Sequence, residues 1–494
     1  MILYMEGHDF RYAVEQCQLV FFPGERPVFV KTAPSPQTDS AISRLSFGDR
    51  WATAVTIIRH KGTVSRGMAR APASGYPDEQ ARRRGLSYAV KFAFYRAACL
   101  ATGYRPPWGA LTGIRPAGML RSLAGTGLSL PQAERALGKQ FDVAPRKSAL
   151  CLSAARTTQA VESSLQKNDI SLYVGIPFCP TRCTYCSFVS HSVDKAGHLL
   201  PEFLTALSRE IRAVGLLISE LHLRPVTLYI GGGTPTTLSD TQLDTLLGEL
   251  DSSINLSSLR EFTVEAGRPD TVTREKMTVL KRRGVTRVSV NPQSMSNRIL
   301  DTIGRRHTAA DTLNAYNLAR AAGFQINTDL IAGLPGDTAC GFADSLSQVL
   351  ALAPDNVTLH TLARKKGSAL TNQPSSAADP EQIEAMLNRA YGTLSEADYH
   401  CYYLYRQKYM AGPFENTGWA RPGQENLYNV CMMEELHTVL SLGGGGVSKL
   451  VDSACGRVDR IFNPKYPYEY LSRIDDVLQS KDTIRVFFQE IRKN

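Results

Sequence analysis

From residue 170 onwards, short apolar segments alternate with longer segments whose apolar residues recur at helical spacing. The short segments predict strands, because they are rich in β-branched and aromatic residues. They cover residues 171–177, 226–231, 261–265, 286–290, 326–331 and 356–362. The segments between them predict helices at residues 201–220, 239–251, 273–283, 309–322 and 339–352. Six consecutive β–α units predict a parallel sheet curled into a barrel or partial barrel, in which functional residues lie at the carboxyl ends of the strands.

The preceding residues mix two patterns. Residues 10–22 and 50–58 are rich in β-branched and aromatic residues, which predicts strands. Residues 78–102 begin with acidic residues and continue with apolar residues at helical spacing, which predicts a helix. The polar stretch 163–169 predicts a linker between this region and the barrel.

After about residue 375 the strict alternation ends. Residues 380–397 and 467–494 predict helices, and the Tyr-rich segment 399–409 predicts a strand. GGGG at 443–446 predicts a turn, because glycine tolerates backbone conformations that other residues avoid. We therefore expect an α/β protein of three parts: an N-terminal region at 1–165, a barrel at 166–375 and a C-terminal region at 376–494.

The composition of the 494 residues, 43% apolar and 21% charged, is that of a globular protein and excludes mainly disordered, collagen-like and disulfide-scaffold proteins. The longest apolar runs are shorter than the ~18–20 residues that span a bilayer. The first residues, MILYMEGHDFRYAVEQ, do not have the pattern of a signal peptide. The sequence thus predicts a cytoplasmic protein without a membrane span.

The net charge of +10 is unevenly distributed. Residues 1–165 contain 22 Lys and Arg against 11 Asp and Glu, whereas the remaining residues contain 34 against 35. A basic N-terminal region can bind nucleic acid or another polyanion, but the sequence favours the alternative of a solvated basic face. Both interpretations stay open on the sequence.

Three of the ten cysteines, Cys179, Cys183 and Cys186, lie within eight residues, directly after the first predicted barrel strand. Three thiolates at this spacing can hold three irons of a [4Fe–4S] cluster and leave the fourth iron open to a small molecule. A zinc site with His191 as the fourth ligand is the alternative. The wide spacing of three cysteines in the C-terminal region favours buried thiols over a second metal site: Cys401, Cys431 and Cys455.

A glycine-rich segment, Gly231-Gly232-Gly233-Thr234-Pro235-Thr236, follows the second predicted strand. Consecutive glycines let a ligand approach the backbone and leave N–H groups free to bind an anion or carboxylate. Such a segment can also be an ordinary tight turn. Its position at the same end of the barrel as the cysteines favours the ligand site.

Single polar residues occur at or just beyond three further strand ends, namely Glu265, Gln293 and Asp329. A carboxylate on an apolar strand is costly to bury without a partner. These residues predict either a polar ring suited to a ribose and an amino-acid moiety, or hydrogen bonds to neighbouring strand ends. Arg305 and Arg306 are candidates for binding a carboxylate, with a solvated helix face as the alternative.

The segments YVGIPFCPTRCTYCSF, YIGGGTPT, TVEAG, NPQS and TDLIAGLP together resemble the radical SAM superfamily. More narrowly, the chain resembles the oxygen-independent coproporphyrinogen III oxidase group. PWGALTGIRP, the long N-terminal extension and GGGGVSK are similar to the HemZ-type branch of that group. The resemblance implies a partial (β/α)6 TIM-type barrel with an N-terminal α+β extension and a C-terminal α+β region that covers the substrate side.

The resemblance also implies the cofactors and the reaction. Cys179, Cys183 and Cys186 would hold a [4Fe–4S] cluster, and S-adenosylmethionine would bind its open iron. An electron from a flavodoxin- or ferredoxin-like donor would pass through the cluster and cleave S-adenosylmethionine to methionine and a 5′-deoxyadenosyl radical, which the protein orients and shields. In haem biosynthesis this radical removes hydrogen from two propionates of the tetrapyrrole coproporphyrinogen III. Decarboxylation then gives protoporphyrinogen IX.

Position by position, the resemblance assigns roles around S-adenosylmethionine. Gly232, Gly233 and Thr234 would contact the methionine part, Glu265 the ribose and Arg305 the carboxylate. The remaining pocket residues would be Gln293 and Asp329, with Ala363 on the adenine side and Tyr173 beneath the site. Candidates for the substrate carboxylates are Arg364, Lys365 and Lys366, for which a solvated loop is the alternative.

Two positions differ from the related branches. The oxidases carry a further cysteine two residues after the third, where this chain has Phe188. The haem-chaperone branch also lacks that cysteine, but its haem-binding His-Asn-x-x-Tyr-Trp motif is replaced here by Glu425-Asn426-Leu427-Tyr428-Asn429. Three functions therefore stay open: the oxidase reaction, binding or transfer of haem, and a radical reaction on another substrate such as RNA.

Overall fold

The computed structural model describes residues 1–187, 190–363, 368–372, 379–407 and 414–493. The chain forms two compact units, Met1–Leu152 and Ser153–Asn494. The division falls inside a helix, Pro145–Ser164, and the predicted boundary at residue 165 follows directly after that helix.

The N-terminal unit is a mixed five-stranded sheet with helices. Its strands are β1 Ile2–Glu6, β2 Val28–Val30, β3 Ser40–Phe47, β4 Trp51–His60 and β5 Thr63–Pro72, in the order β2-β1-β3-β4-β5. Its helices are α1 Arg11–Phe21, α2 Glu79–Thr102, α3 Pro116–Ala124, α4 Leu130–Phe141 and α5 Pro145–Ser164, which continues into the second unit. The predicted strand at 50–58 and the predicted helix at 78–102 are confirmed as β4 and α2.

The predicted strand at residues 10–22 is wrong, because this segment forms helix α1. Its apolar residues recur at helical spacing and bury one face of the helix, namely Ala13, Val14, Cys17 and Phe21. The prediction relied on the β-branched and aromatic content of the segment. The spacing of the apolar residues is the signal that identifies the helix.

The second unit contains thirteen of the described strands. They are β6 Asp169–Ile176, β7 Phe178–Cys179, β8 His191–Ser192, β9 Arg224–Gly232, β10 Glu261–Glu265, β11 Arg287–Ser289, β12 Gln325–Ala332, β13 Asn356–Thr361, β14 His400–Tyr405, β15 Asn416–Ala420, β16 Val439–Gly443, β17 Val447–Asp452 and β18 Arg457–Phe462.

The helices of the second unit connect these strands or follow them. They are α6 Val193–Ala196, α7 Leu200–Glu220, α8 Asp240–Ser253, α9 Arg274–Arg282, α10 Asn297–Thr302, α11 Ala309–Ala321, α12 Ala339–Ala351, α13 Pro380–Glu396, α14 Leu427–Glu434, α15 Pro467–Ser472, α16 Ile474–Ser480 and α17 Asp482–Lys493. Short 3₁₀ turns lie at Gly197–Leu199, Pro235–Thr237, Pro269–Thr271 and Ala369–Asn372. Within the described residues, no helix is both long and apolar enough to cross a membrane.

The six predicted barrel strands are confirmed. β6, β9, β10, β11, β12 and β13 are adjacent and mutually parallel, in chain order across the sheet. The C-terminal region extends this sheet at both edges. β15 and β14 add antiparallel strands beyond β13, whereas β16 pairs in parallel with β6 and is followed by β17 and β18.

Alternate residues of the barrel strands meet different surroundings, because successive side chains of a strand point to opposite faces. One set packs in the hydrophobic core with the helices: Leu172, Val174, Leu228, Ile230, Val264, Val288 and Ile326. The other set lines a cavity: Tyr173, Tyr229, Glu265, Ser289, Asn327, Asp329 and His360. The fold therefore places polar side chains inside the partial barrel and apolar ones beneath its helices.

Candidate active site

A cavity of ≈ 430 Å³ lies at the carboxyl ends of the barrel strands. The loop that carries Cys179, Cys183 and Cys186 forms one side, and residues of β14, β15 and α14 form another. Small-molecule sites usually enclose about 300–1,000 Å³. The cavity therefore has the volume and position expected for the ligand site of a parallel α/β barrel.

The sulfurs of Cys179 and Cys183 each receive a hydrogen bond from a side chain that follows a neighbouring strand. The hydroxyl of Thr234 lies 3.5 Å from Sγ of Cys179. Nη1 of Arg268 lies 3.8 Å from Sγ of Cys183. Donors of this kind stabilise thiolates and orient them as ligands.

The donor set along one side of the cavity fits an iron–sulfur cluster. Cys179, Cys183 and Cys186 all line the cavity, and the cysteines of a [4Fe–4S] cluster each bind a different iron.

The glycine-rich segment packs against the cysteine loop, which corrects one expectation. The backbone N–H groups of Gly233 and Thr234 donate to the carbonyls of Ile176 and Phe178, both at 2.7 Å, and are not free to bind an anion. A Cβ atom on Gly233 would lie 2.4 Å from the carbonyl oxygen of Phe178. Glycine is required here because the strand leading to Cys179 runs directly past this backbone.

Arg268 ties the end of β10 to the cysteine loop. It is 3% exposed, and its Nε and Nη2 bind the carboxylate of Asp270 at 3.0 and 3.1 Å. Nη1 also donates to the hydroxyl of Thr181 at 3.0 Å. The guanidinium is thus held in one orientation, with its remaining face towards Cys183.

Arg305 supports the same loop from the other side. Its Nη1 donates to the carbonyl oxygens of Gly267 and Asn291 at 3.1 and 2.9 Å. Nε and Nη2 donate to the hydroxyl of Tyr185, which lies between the second and third cysteines, at 3.3 and 3.0 Å. A guanidinium has five N–H donors, so these bonds leave one on Nη2 for a ligand.

Glu265 lies deep in the cavity among neutral donors and a second carboxylate. Its Oε1 accepts a hydrogen bond from the hydroxyl of Tyr229 at 2.7 Å. Burial raises the pKa of Glu265 to about 7, with the nearby carboxylate of Asp329 acting in the same direction and the hydrogen bonds from Tyr229 and the Gly232 backbone acting against it. Asp329 in turn lies 3.5 Å from Nε2 of His360.

The raised pKa of Glu265 predicts a pH dependence of stability. The folded protein holds a proton on Glu265 between pH 4.5 and about 7 that the unfolded chain releases, so this contribution to stability declines as the pH rises through that window. Glu265→Gln keeps an acceptor for Tyr229 and does not titrate. We expect the Tm of the variant minus the Tm of the wild type to increase when the pH is raised from about 5 to about 8. An equal Tm difference at both pH values would contradict this account.

Two buried amide side chains line the cavity with an oxygen that has no hydrogen-bond partner. They are Oδ1 of Asn291 and Oε1 of Gln293, in residues that are 9% and 7% exposed. Gln293 has a positive φ of 68°, which turns the chain after β11. A buried acceptor without a partner is unfavourable, so both oxygens suit the amino or hydroxyl groups of a ligand.

Three tyrosine rings stack at the base of the cavity. Tyr229 lies 4.5 Å from Tyr428 and 6.2 Å from Tyr173, measured between ring centroids. Tyr428 comes from α14, whose first N–H groups donate to the carboxylate of Glu261 at 2.9 and 3.0 Å. The C-terminal region thereby closes the amino end of the barrel and gives the cavity an aromatic base.

The predicted site residues that line this one cavity are Tyr173, Cys179, Cys183, Cys186, Gly232, Gly233, Thr234, Glu265, Gln293, Arg305, Asp329 and Ala363. Phe188, Arg364, Lys365 and Lys366 lie outside the described residues. Further residues line the cavity that were not predicted from the sequence: Tyr185, Arg268, Asn291, His360, Tyr403, Tyr405, Asn416 and Tyr428. Arg268, Asn291 and His360 lie at strand ends, so the rule that selected Glu265 also identifies them.

The three cysteines of the C-terminal region differ in their exposure to solvent. Cys401 and Cys431 are buried, and burial raises the pKa of Cys431 to about 12. The prediction of a buried thiol is wrong for Cys455, which is exposed, with Sγ 3.1 Å from Oδ2 of Asp452. Within the described residues they do not form a second metal site.

Comparison with known proteins agrees with this geometry. Residues 173–349 match the Radical SAM superfamily model. The oxygen-independent coproporphyrinogen-III oxidase-like protein HemZ of Bacillus subtilis is 35% identical over 474 residues, which is 94% of this chain and 92% of HemZ. The heme chaperone HemW of Haemophilus influenzae is 29% identical over 310 residues, 61% of this chain and 76% of HemW.

The fold has a counterpart among solved structures. Coproporphyrinogen III oxidase (HemN) from Escherichia coli, described as a radical SAM enzyme, aligns with a TM-score of 0.52 and 22% identity, covering 66% of this chain and 73% of HemN. This likeness supports the barrel architecture. The chain belongs to the radical SAM superfamily and, within it, to the family of oxygen-independent coproporphyrinogen-III oxidase-like proteins.

Proposed function

We propose that this protein is a radical SAM enzyme that converts coproporphyrinogen III to protoporphyrinogen IX. The observation that carries the proposal is a single cavity bounded by the three-cysteine loop, a buried polar wall and an aromatic base. Family membership supports the cofactors, a [4Fe–4S] cluster on Cys179, Cys183 and Cys186 together with S-adenosylmethionine.

The residues around the cysteines would orient the cofactors. When bound, the cluster and S-adenosylmethionine supply a one-electron cleavage that yields an adenosyl radical able to remove a hydrogen atom. Glu265 would accept from the ribose hydroxyls, and the unpartnered oxygens of Asn291 and Gln293 would accept from further hydroxyl or amino groups. Arg305 has one remaining donor for the carboxylate of methionine.

The surroundings also protect a reactive intermediate from water. Stacked Tyr173, Tyr229 and Tyr428 close the base of the cavity, and burial raises the pKa values of all three, which keeps their hydroxyls protonated. Each vinyl group formed requires a propionate to lose one hydrogen atom, one electron and CO2. The reaction therefore needs an electron donor for the cluster and a one-electron acceptor for the substrate.

The proposal is tested by reducing the reconstituted protein with a limiting amount of dithionite and incubating it anaerobically with S-adenosylmethionine, coproporphyrinogen III and an added one-electron acceptor. We expect 5′-deoxyadenosine together with a tetrapyrrole that has lost two carboxyl groups. Deoxyadenosine without any change in the tetrapyrrole would overturn the assignment of the substrate and keep the radical chemistry.

The contact between Arg268 and Cys183 predicts an effect on the reduction potential of the cluster. A buried cation that donates to a ligand sulfur stabilises the reduced, more negative cluster. We expect Arg268→Met to lower the midpoint potential, measured by a redox titration followed by electron paramagnetic resonance, and Arg268→Lys to recover part of the shift. Arg274→Met on the exposed face of α9 is the matched control. Equal potentials in Arg268→Met and the control would contradict the prediction.

Binding or transfer of haem is a second candidate, favoured by the likeness to the heme chaperones HemW. Glu425, at the position of the chaperones' histidine, pairs with Nε2 of His400 at 2.9 Å. If the protein binds haem, titration with haem would show stoichiometric uptake and a shifted Soret band. An unchanged Soret band would exclude it.

A further inference from the structure

One wall of the cavity is formed by β14 and β15, which extend the sheet beyond β13 at the opposite edge of the barrel strands from β6. It includes three neutral side chains that are not among the predicted cofactor contacts: Tyr403, Tyr405 and Asn416. Two of them present hydrogen-bond donors towards the cavity.

Asn416 is 1% exposed, and the orientation of its amide is fixed by the backbone. Its Oδ1 accepts a hydrogen bond from the N–H of Thr361 at 2.8 Å. A backbone N–H can only donate, so the oxygen must face Thr361 and Nδ2 must face the other way. Nδ2 is buried and has no hydrogen-bond partner, in a residue that lines the cavity.

Tyr405 provides a second donor beside Asn416. The two residues are directly paired across strands β14 and β15, so their side chains lie on the same face of the sheet. The hydroxyl of Tyr405 accepts a hydrogen bond from Nε2 of Gln407 at 3.2 Å, which leaves its own proton available to donate. Burial raises the pKa of Tyr405 to about 12, so that the proton stays in place at neutral pH.

The chemistry of this pair defines the group that it would bind. Both side chains offer protons, and neither offers a cation. Two buried donors stabilise an anionic oxygen more than a neutral one, because hydrogen bonds to an ionised acceptor are stronger than those to a neutral acceptor. Met433 packs against the apolar cluster that contains Tyr403, lines the cavity and supplies adaptable apolar contact for the body of a large ligand.

We propose that Asn416 and Tyr405 form a subsite that binds a carboxylate of the substrate. The inference rests on the proposed function, since coproporphyrinogen III carries four carboxylates and only two are lost. A carboxylate held at this wall would keep the macrocycle in one orientation against the cysteine loop. The subsite is distinct from the residues that contact S-adenosylmethionine, so substrate and cofactor binding should separate on mutation.

The test measures binding of coproporphyrin III, the stable oxidised form of the substrate, by quenching of its fluorescence under anaerobic conditions. We expect Asn416→Leu to raise its Kd about tenfold or more, because the donor is removed, and Asn416→Asp to weaken binding further through repulsion. Tyr405→Phe should raise the Kd less. The Kd for S-adenosylmethionine should remain unchanged in all three variants, and thermal unfolding confirms that each is folded.

A matched control is Asn429→Leu. Asn429 lines the same cavity, but its Nδ2 already donates to the hydroxyl of Tyr402 at 3.2 Å, so we expect a smaller effect on the Kd for coproporphyrin III. A porphyrin without carboxylates gives a second control, since its affinity should not respond to Asn416→Leu.

Each outcome separates the subsite from the proposed function. Equal Kd values for coproporphyrin III in the wild type and in Asn416→Leu would overturn the subsite and leave the proposed function intact. A higher Kd for S-adenosylmethionine in Asn416→Leu would also overturn the subsite, because Asn416 would then contact the cofactor. A wild-type protein with no affinity for the porphyrin overturns both.

Discussion

Replacing Cys183 by alanine is expected to abolish both the iron–sulfur cluster and the cleavage of S-adenosylmethionine. The residue supplies one of three thiol groups on the cavity wall, and two thiolates do not retain a four-iron cluster that also keeps an open iron. After anaerobic reconstitution, the wild type should bind about four irons and four sulfides per chain. The variant should lose most of this iron, and its formation of 5′-deoxyadenosine should fall to background.

Cys340→Ala is the matched control for this prediction. Cys340 is an exposed cysteine on α12 and does not line the cavity, so its loss should leave iron content and cleavage unchanged. Retention of a full cluster and of cleavage by Cys183→Ala would disprove the assignment of the ligands.

The second large effect concerns a buried ion pair between Glu210 and Lys481, which are 0% and 2% exposed. Nζ of Lys481 lies 2.8 Å from Oε1 of Glu210. The other carboxylate oxygen accepts from the hydroxyl of Tyr470 at 2.6 Å and from the N–H of Gly443 at 2.8 Å. The carboxylate is thus held by groups from the C-terminal region at the end of β16, the strand that pairs with β6.

Lys481→Met leaves the carboxylate of Glu210 buried without its cation. Removal of one partner of a buried pair costs about 3–5 kcal/mol of unfolding free energy. We expect this loss in denaturant unfolding, and a smaller loss in the double variant Glu210→Met/Lys481→Met, which removes both charges.

The adjacent exposed pair gives the control. Nη2 of Arg209 on α7 lies 2.6 Å from Oδ1 of Asp475 on α16, at the protein surface. Exposed ion pairs contribute little to the free energy of unfolding. Asp475→Asn should therefore leave the unfolding midpoint almost unchanged. An equal loss in Lys481→Met and Asp475→Asn would contradict the role of the buried network.

Much of the barrel and part of the site are encoded in local patterns. Short apolar segments identify the six parallel strands, because both faces of such a sheet are covered. Once the strands are known, the rule that function lies at their carboxyl ends selects Glu265 and Asp329, which do line the cavity. The cysteine spacing adds the loop at the same end.

Other features depend on tertiary contacts that no local pattern records. The N–H groups of Gly233 and Thr234 are occupied because the strand before Cys179 passes beside them. Asn416 and Tyr428 reach the cavity only because the C-terminal region adds β15 to one edge of the sheet and inserts α14 at the amino end of the barrel. Neither residue carries a sequence signal of its own.

The most direct test of the account uses coproporphyrinogen III with deuterium on the propionates of rings A and B. The reconstituted protein, reduced with a limiting amount of dithionite, is incubated with this substrate, S-adenosylmethionine and a one-electron acceptor, and both products are analysed by mass. We expect 5′-deoxyadenosine that carries deuterium, together with a tetrapyrrole that has lost two molecules of CO2. Unlabelled 5′-deoxyadenosine beside intact tetrapyrrole would contradict the claim that this cavity directs radical chemistry onto a porphyrinogen.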